Sequence, residues 1–124
     1  MVDQRKNIRY ETSAKVIIKN VSDEKAQLKD ISVTGCRIEL VNYAEIKPNT
    51  RYKLKIIPEQ TSEVESFFLA VESKWIGTEV NSFEFGFSII ESPKGKQFQR
   101  YVDYLSWRYS QGNSMTGDSG SEIL

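Results

Sequence analysis

A chain of 124 residues holds one hydrophobic core and is too short for two. Its 17 Lys plus Arg and 17 Asp plus Glu balance to zero, which argues against a general nucleic-acid binder. With no His and one Cys, Cys36, it offers no Ser-His-Asp triad, no Cys-His pair, no His-ligated metal site and no intrachain disulfide.

The start, Met1-Val2-Asp3-Gln4-Arg5-Lys6, has no apolar segment behind its charges and is not a secretory signal. No stretch reaches the roughly 20 apolar residues of a membrane span. The sequence therefore predicts a cytoplasmic protein without membrane insertion.

Residues 1–13 are polar and without period. Within residues 1–19, Arg5, Lys6, Arg9, Lys15 and Lys19 stand against Asp3 and Glu11, so a neutral total hides a basic N-terminal arm. Strand-like alternation begins at Ala14 and runs through Val16 and Ile18. It returns at Gln27–Ile31, in Cys36, Ile38 and Leu40, and in Tyr52, Leu54 and Ile56. Ser32-Val33-Thr34-Gly35 and Lys47-Pro48-Asn49-Thr50 are turn sequences between these runs. Phe67–Thr78 and Phe83–Ile90 read as a long hairpin turning at Val80-Asn81-Ser82. Ser92-Pro93 gives a helix N-cap and first-turn proline. Phe98, Val102, Leu105 and Tyr109 then recur at helical spacing, with Gly112 as the expected stop. Residues 111–124 are Gly-, Ser- and Asp-rich and are expected to be a disordered tail. The predicted class is all-β with one C-terminal helix: a six-stranded antiparallel barrel over residues 14–110, the helix included, behind a basic arm.

Two motifs could carry chemistry. Arg5-x-x-x-Arg9 places two guanidinium forks on the arm, a geometry suited to phosphate oxygens or the O6/N7 edge of guanine. Asp30-x-Ser32-x-x-Gly35 closes one strand and turns into the next. A carboxylate there can accept from guanine N1 and N2, and a hydroxyl can serve a phosphate. Gly35 would allow a positive φ. The bland alternatives are a solvated basic terminus and an ordinary Ser-type turn. Among the aromatics, Trp75, Phe83, Phe85 and Phe87 could stack bases, but their strand positions favour core packing. Tyr104 and Trp107 lie off the main helix face and could dock a partner. Glu39, Glu63, Glu65 and Glu84 form no catalytic constellation, so no enzyme is expected. Cys36 reads as a small buried hydrophobe.

Arg5-x-x-x-Arg9 followed by Asp30-x-Ser32-x-x-Gly35 resembles the paired motifs of the PilZ domain family. Val71–Ile76, with its Trp75, and Phe85-Gly86-Phe87 are similar to later strands of that family, and the resemblance covers about residues 4–108. Cys36 departs from it, standing where the family often has a second Gly. The resemblance implies a six-stranded barrel that binds cyclic di-GMP without a cofactor. Arg5 and Arg9 would hold guanine edges and phosphates from the arm. Asp30 and Ser32 would hold the other guanine and its phosphodiester, and Gly35 would shape the turn. An arm wrapping the nucleotide would change the surface shown to an unidentified protein partner, with motility, adhesion or biofilm outputs. Residues 1–9 by themselves cannot repay the entropy of ordering, so the arm should order on binding. Two alternatives compete: a nucleotide-independent adaptor of the same fold, and a small-barrel binder of oligonucleotides.

Overall fold

The structure is a computed structural model that describes residues 8–79, 82–91 and 94–115. Seven strands are present: β1 (Tyr10–Glu11), β2 (Lys15–Ile18), β3 (Ala26–Ile31), β4 (Gly35–Leu40), β5 (Arg51–Ile57), β6 (Phe67–Glu79) and β7 (Ser82–Ile89). Among the described residues one α-helix, α1 (Gln97–Met115), follows them.

Six of these strands close an antiparallel barrel in the order β3-β2-β5-β6-β7-β4, and β4 pairs back onto β3. Closure leaves no long free edge around most of the ring. The seventh strand, β1, is the unforeseen one. It lies on the same edge of β3 as β2, but further along, with Tyr10 opposite Ile31 and Glu11 opposite Asp30. Two residues of low apolar content give no readable period, which is why patterning starts the barrel only at Ala14. The arm is thus tied to the barrel from Tyr10 onward.

Alternation explains the core. Val16, Ile18, Leu28, Ile38, Leu54, Ile56, Leu69 and Val71 point inward and are buried. Each such side chain contributes roughly 1.5–3 kcal/mol when fully removed from water. Cys36 is buried among them as expected, and Phe85 and Phe87 join the core.

Helix α1 covers one end of the barrel with Phe98, Tyr101, Val102 and Leu105. Phe67 meets both Phe98 and Tyr101 at 6.0 Å between ring centroids. Tyr101 is fully buried although the hydrophobic spacing does not select it. Its hydroxyl donates to Glu59 at 2.7 Å, so the ring can go inside without leaving a polar atom unpaired. Tyr109, expected on the buried face, is 48% exposed and instead packs edge-on against Tyr10 of β1. The helix also runs through Gly112 to Met115. One Gly costs a helix only about 1 kcal/mol relative to Ala and does not have to end it. The proposed cap Ser92-Pro93 and residues 116–124 of the tail lie outside the described residues.

Candidate functional site

A cleft of about 420 Å3 opens on the outer wall of the barrel where β3, β4, β6 and β7 meet. Two β-bulges build it. In β3 the register against β4 slips between Leu28 and Asp30. Strict alternation would send Leu28 and Asp30 to the same face. The extra residue, Lys29, resets the phase: Leu28 and Ile31 go inward, and Asp30 faces out opposite Arg37. In β6 the register against β7 slips between Ser73 and Trp75. Ser73 is buried, whereas Trp75 is turned outward and 46% exposed. The core position expected for Trp75 is therefore corrected by a bulge that periodicity does not reveal.

Trp75 lies across Gly86, its cross-strand partner. A Cβ on residue 86 would sit 2.2 Å from the indole Nε1. Gly86 is thus the platform that lets the ring lie flat along the cleft wall.

Asp30 is the electrostatic centre. Arg9 donates to its Oδ1 from Nε at 3.1 Å and Nη2 at 3.0 Å. Arg37 forms an ion pair with Oδ2, its Nη2 at 2.9 Å, and lies 3.6 Å from Glu84 through Nη1. One carboxylate thus holds two guanidinium groups from different parts of the chain. The Nε of Arg37 is buried without a hydrogen-bond partner among the described residues. Arg37 was missed in the sequence because no motif contains it; the available signal was its outward phase next to the Ser32–Gly35 turn. Lys74, in the β6 bulge, also lines the cleft.

The turn motif divides its labour. Ser32 is fully buried, and its hydroxyl accepts from the backbone N–H groups of Thr34 and Gly35, each at 3.2 Å. In this structure that hydroxyl shapes the turn rather than facing the cleft, whereas Thr34 and Gly35 do line it. Gly35 is not among the described residues with positive φ. Its requirement is steric: a Cβ would lie 2.6 Å from the Phe87 carbonyl oxygen. Beneath the cleft, burial pushes the Cys36 thiol up to about 12, only partly offset by the nearby positive charge of Arg9. Arg5 lies outside the described residues.

Fold and site together define a small-barrel domain with a surface cleft framed by Arg9 of the N-terminal arm, a shared carboxylate and an exposed indole. The chain belongs to the PilZ domain family, whose sequence model matches residues 3–106. That family comprises ligand-binding and adaptor domains, among them cyclic di-GMP receptors. Among solved structures, the Bacillus subtilis inhibitor of motility MotI/DgrA matches with a TM-score of 0.72 and 17% identity. The match covers 87% of this chain and 52% of that one, so this chain spans about half the length of that protein. No curated protein matches the sequence. No helix among the described residues is long and apolar enough to cross a membrane.

Proposed function

We propose that this domain is a cyclic di-GMP receptor that acts through a protein partner and not by catalysis. The observation that carries the reading is Asp30, turned outward by a bulge and set between Arg9 and Arg37 at the rim of the Trp75 cleft. The ligand brings two phosphates and two guanines. Arg9 and Arg37 supply planar forks for phosphate or the guanine O6/N7 edge. Asp30 supplies an acceptor for guanine N1 and N2. The exposed face of Trp75 supplies a stacking surface. Arg5 would add a second fork from the arm.

Arg9 already rests on Asp30, so capture is an exchange: the guanidinium trades a carboxylate for a phosphate, and the carboxylate trades a guanidinium for a guanine edge. Such an exchange moves the arm relative to the barrel wall and alters the surface a partner meets. MotI is described as an inhibitor of motility, which makes motility the first output to examine.

Calorimetric titration with cyclic di-GMP tests the reading. The parent protein should bind, and Arg9→Ala and Trp75→Ala should each weaken binding about tenfold or more, given roughly 1.5–3 kcal/mol for a charge-assisted contact and 1–3 kcal/mol for a stacked base. No heat with the parent protein, or unchanged affinity in both variants, would refute it.

A further inference from the structure

The barrel wall formed by β2, β5 and β6 has a charge character unlike that of the whole. Outward positions on β2 and just past it are Lys15, Ile17 and Lys19; on β5 they are Arg51, Lys53 and Lys55; on β6 they are Phe68 and Ala70. Register sets them side by side. Ile17 faces Lys55, which faces Phe68; Lys53 faces Ala70. The Lys19 backbone N–H donates to the Lys53 carbonyl at 2.9 Å, placing those two lysines on neighbouring strands at the same level.

Five cations on two adjacent strands therefore share a strip roughly 5 Å wide and roughly 20 Å long, from strand spacing and rise. Each lies within about one Debye length of its nearest neighbour in the strip at physiological salt, so adjacent cations reinforce one another. None of the five makes an ion pair among the described residues. Glu72, opposite Arg51, has its carboxylate 3.2 Å from Lys74. A protein of zero net charge has gathered like charges on adjacent strands, an arrangement that works against folding. Lys19, Arg51 and Lys53 also border a groove of about 410 Å3, at which Glu91 is the lone carboxylate among the described residues.

We propose that this wall is a docking surface for an anionic lipid bilayer, on which the domain adsorbs without insertion. Three observations choose lipid over other polyanions. Four of the five cations are lysines, compact hydrated charges that are depleted from protein–protein interfaces and need no fixed partner geometry. The cations stand on two neighbouring strands, flanked by Phe68 on β6, and can meet a plane of headgroups together. Along their edge on β6, Phe68 is 47% exposed, with the Lys53 ammonium 5.5 Å from its ring. An aromatic ring beside lysines suits the boundary between headgroups and acyl chains. A nucleic-acid surface would be expected to show more arginine forks and more than one open aromatic face. The surface is separate from the Asp30 cleft and does not depend on what that cleft binds.

Co-sedimentation of the full chain with vesicles tests this. Vesicles of about 30 mol% phosphatidylglycerol in phosphatidylcholine should bind the protein in about 0.05 M salt and release it in about 0.5 M salt. Each basic residue near such a surface is worth about fivefold, so Lys53→Glu with Lys55→Glu should weaken binding at least about 25-fold. Both side chains face solvent, and an unchanged melting curve shows that the double variant is folded. Phe68→Ser should weaken binding further at fixed charge. The proposal is overturned by equal binding to pure phosphatidylcholine, by no binding at low salt, or by a charge-reversed variant that still sediments. Tighter binding to a DNA duplex than to the vesicles, lost in the same variant, would also overturn it and reassign the wall to nucleic acid.

Discussion

Two arginine–carboxylate centres sit on opposite sides of β1, and they differ in what surrounds them. Asp30 and Glu59 are nearly equally shielded, with side chains 10% and 14% exposed. Glu59 accepts from the Tyr101 hydroxyl at 2.7 Å and from Arg108 at 3.0 Å, and Tyr101 is fully buried beneath the helix. Asp30 holds only guanidinium groups that keep 38–47% of their surface in water, at the mouth of a cleft. Burial of the carboxylate alone does not separate a structural pair from an exchangeable one. The burial of its partners does: Tyr101 beside Glu59 is fully buried, whereas Arg9 beside Asp30 is 47% exposed. Under the helix, losing the acid strands a buried hydroxyl. At the cleft, losing it releases Arg9 to solvent and leaves Arg37 beside Glu84.

The sharpest way to test that division is on the helix that roofs Glu59. Leu105→Asp places a charge where 1% of the side chain is exposed and should unfold the domain, a loss on the order of 4 kcal/mol or more. Trp107→Asp, on the open side of the same helix, should stay within about 0.5 kcal/mol. Thermal denaturation followed by circular dichroism separates the two.

The next effect is a double dissociation. Glu59→Ala should cost about 1–3 kcal/mol through the unpaired Tyr101 hydroxyl, a fall of roughly 5–15 °C in Tm. Asp30→Ala should cost less than Glu59→Ala, because the guanidinium groups it leaves behind keep 38–47% of their surface in water, while cyclic di-GMP affinity falls about tenfold or more. A large melting loss for Asp30→Ala would erase the distinction.

The smallest effect lies beneath the cleft. The Cys36 thiol is raised from 9.0 to about 12 by burial, so the folded state holds its proton more tightly than the unfolded state. Its stabilising contribution is therefore complete below pH 9 and declines as pH rises from 9 towards 12. Cys36→Ala should flatten that part of the stability profile measured by chemical denaturation.

Periodicity served the repeating parts of this chain well. Six strands, the Ser32–Gly35 turn and the inner helix residues Phe98, Val102 and Leu105 follow from spacing, because each repeats a face several times. Strand β1 does not, since two residues have no period. The site was legible as composition and not as geometry. Arg9 and Asp30 belong to recognisable motifs, and the structure brings them within 3.0 Å. Arg37 was not assigned to it because no motif contains it, and Trp75 because it owes its place to a bulge, a single extra residue that leaves the hydrophobic pattern almost unchanged. Gly35 was read for its φ, whereas close packing against Phe87 is what excludes a side chain there.

One contact also orders events in time. The strand beside Arg9 is held from outside by α1: Arg108 donates to the Glu11 carbonyl, and Tyr109 packs on Tyr10. Those partners are about a hundred residues apart, and a ribosome adding roughly 5–20 residues per second needs some 5–20 s to connect them. A nascent chain lacking α1 has β3 to pair with β1 but nothing to close over it, and the core face of the barrel end stays open. The strand that carries Arg9 is therefore clasped from both sides only once α1 has been synthesised, so a nascent chain that still lacks the helix holds its arm by β3 alone.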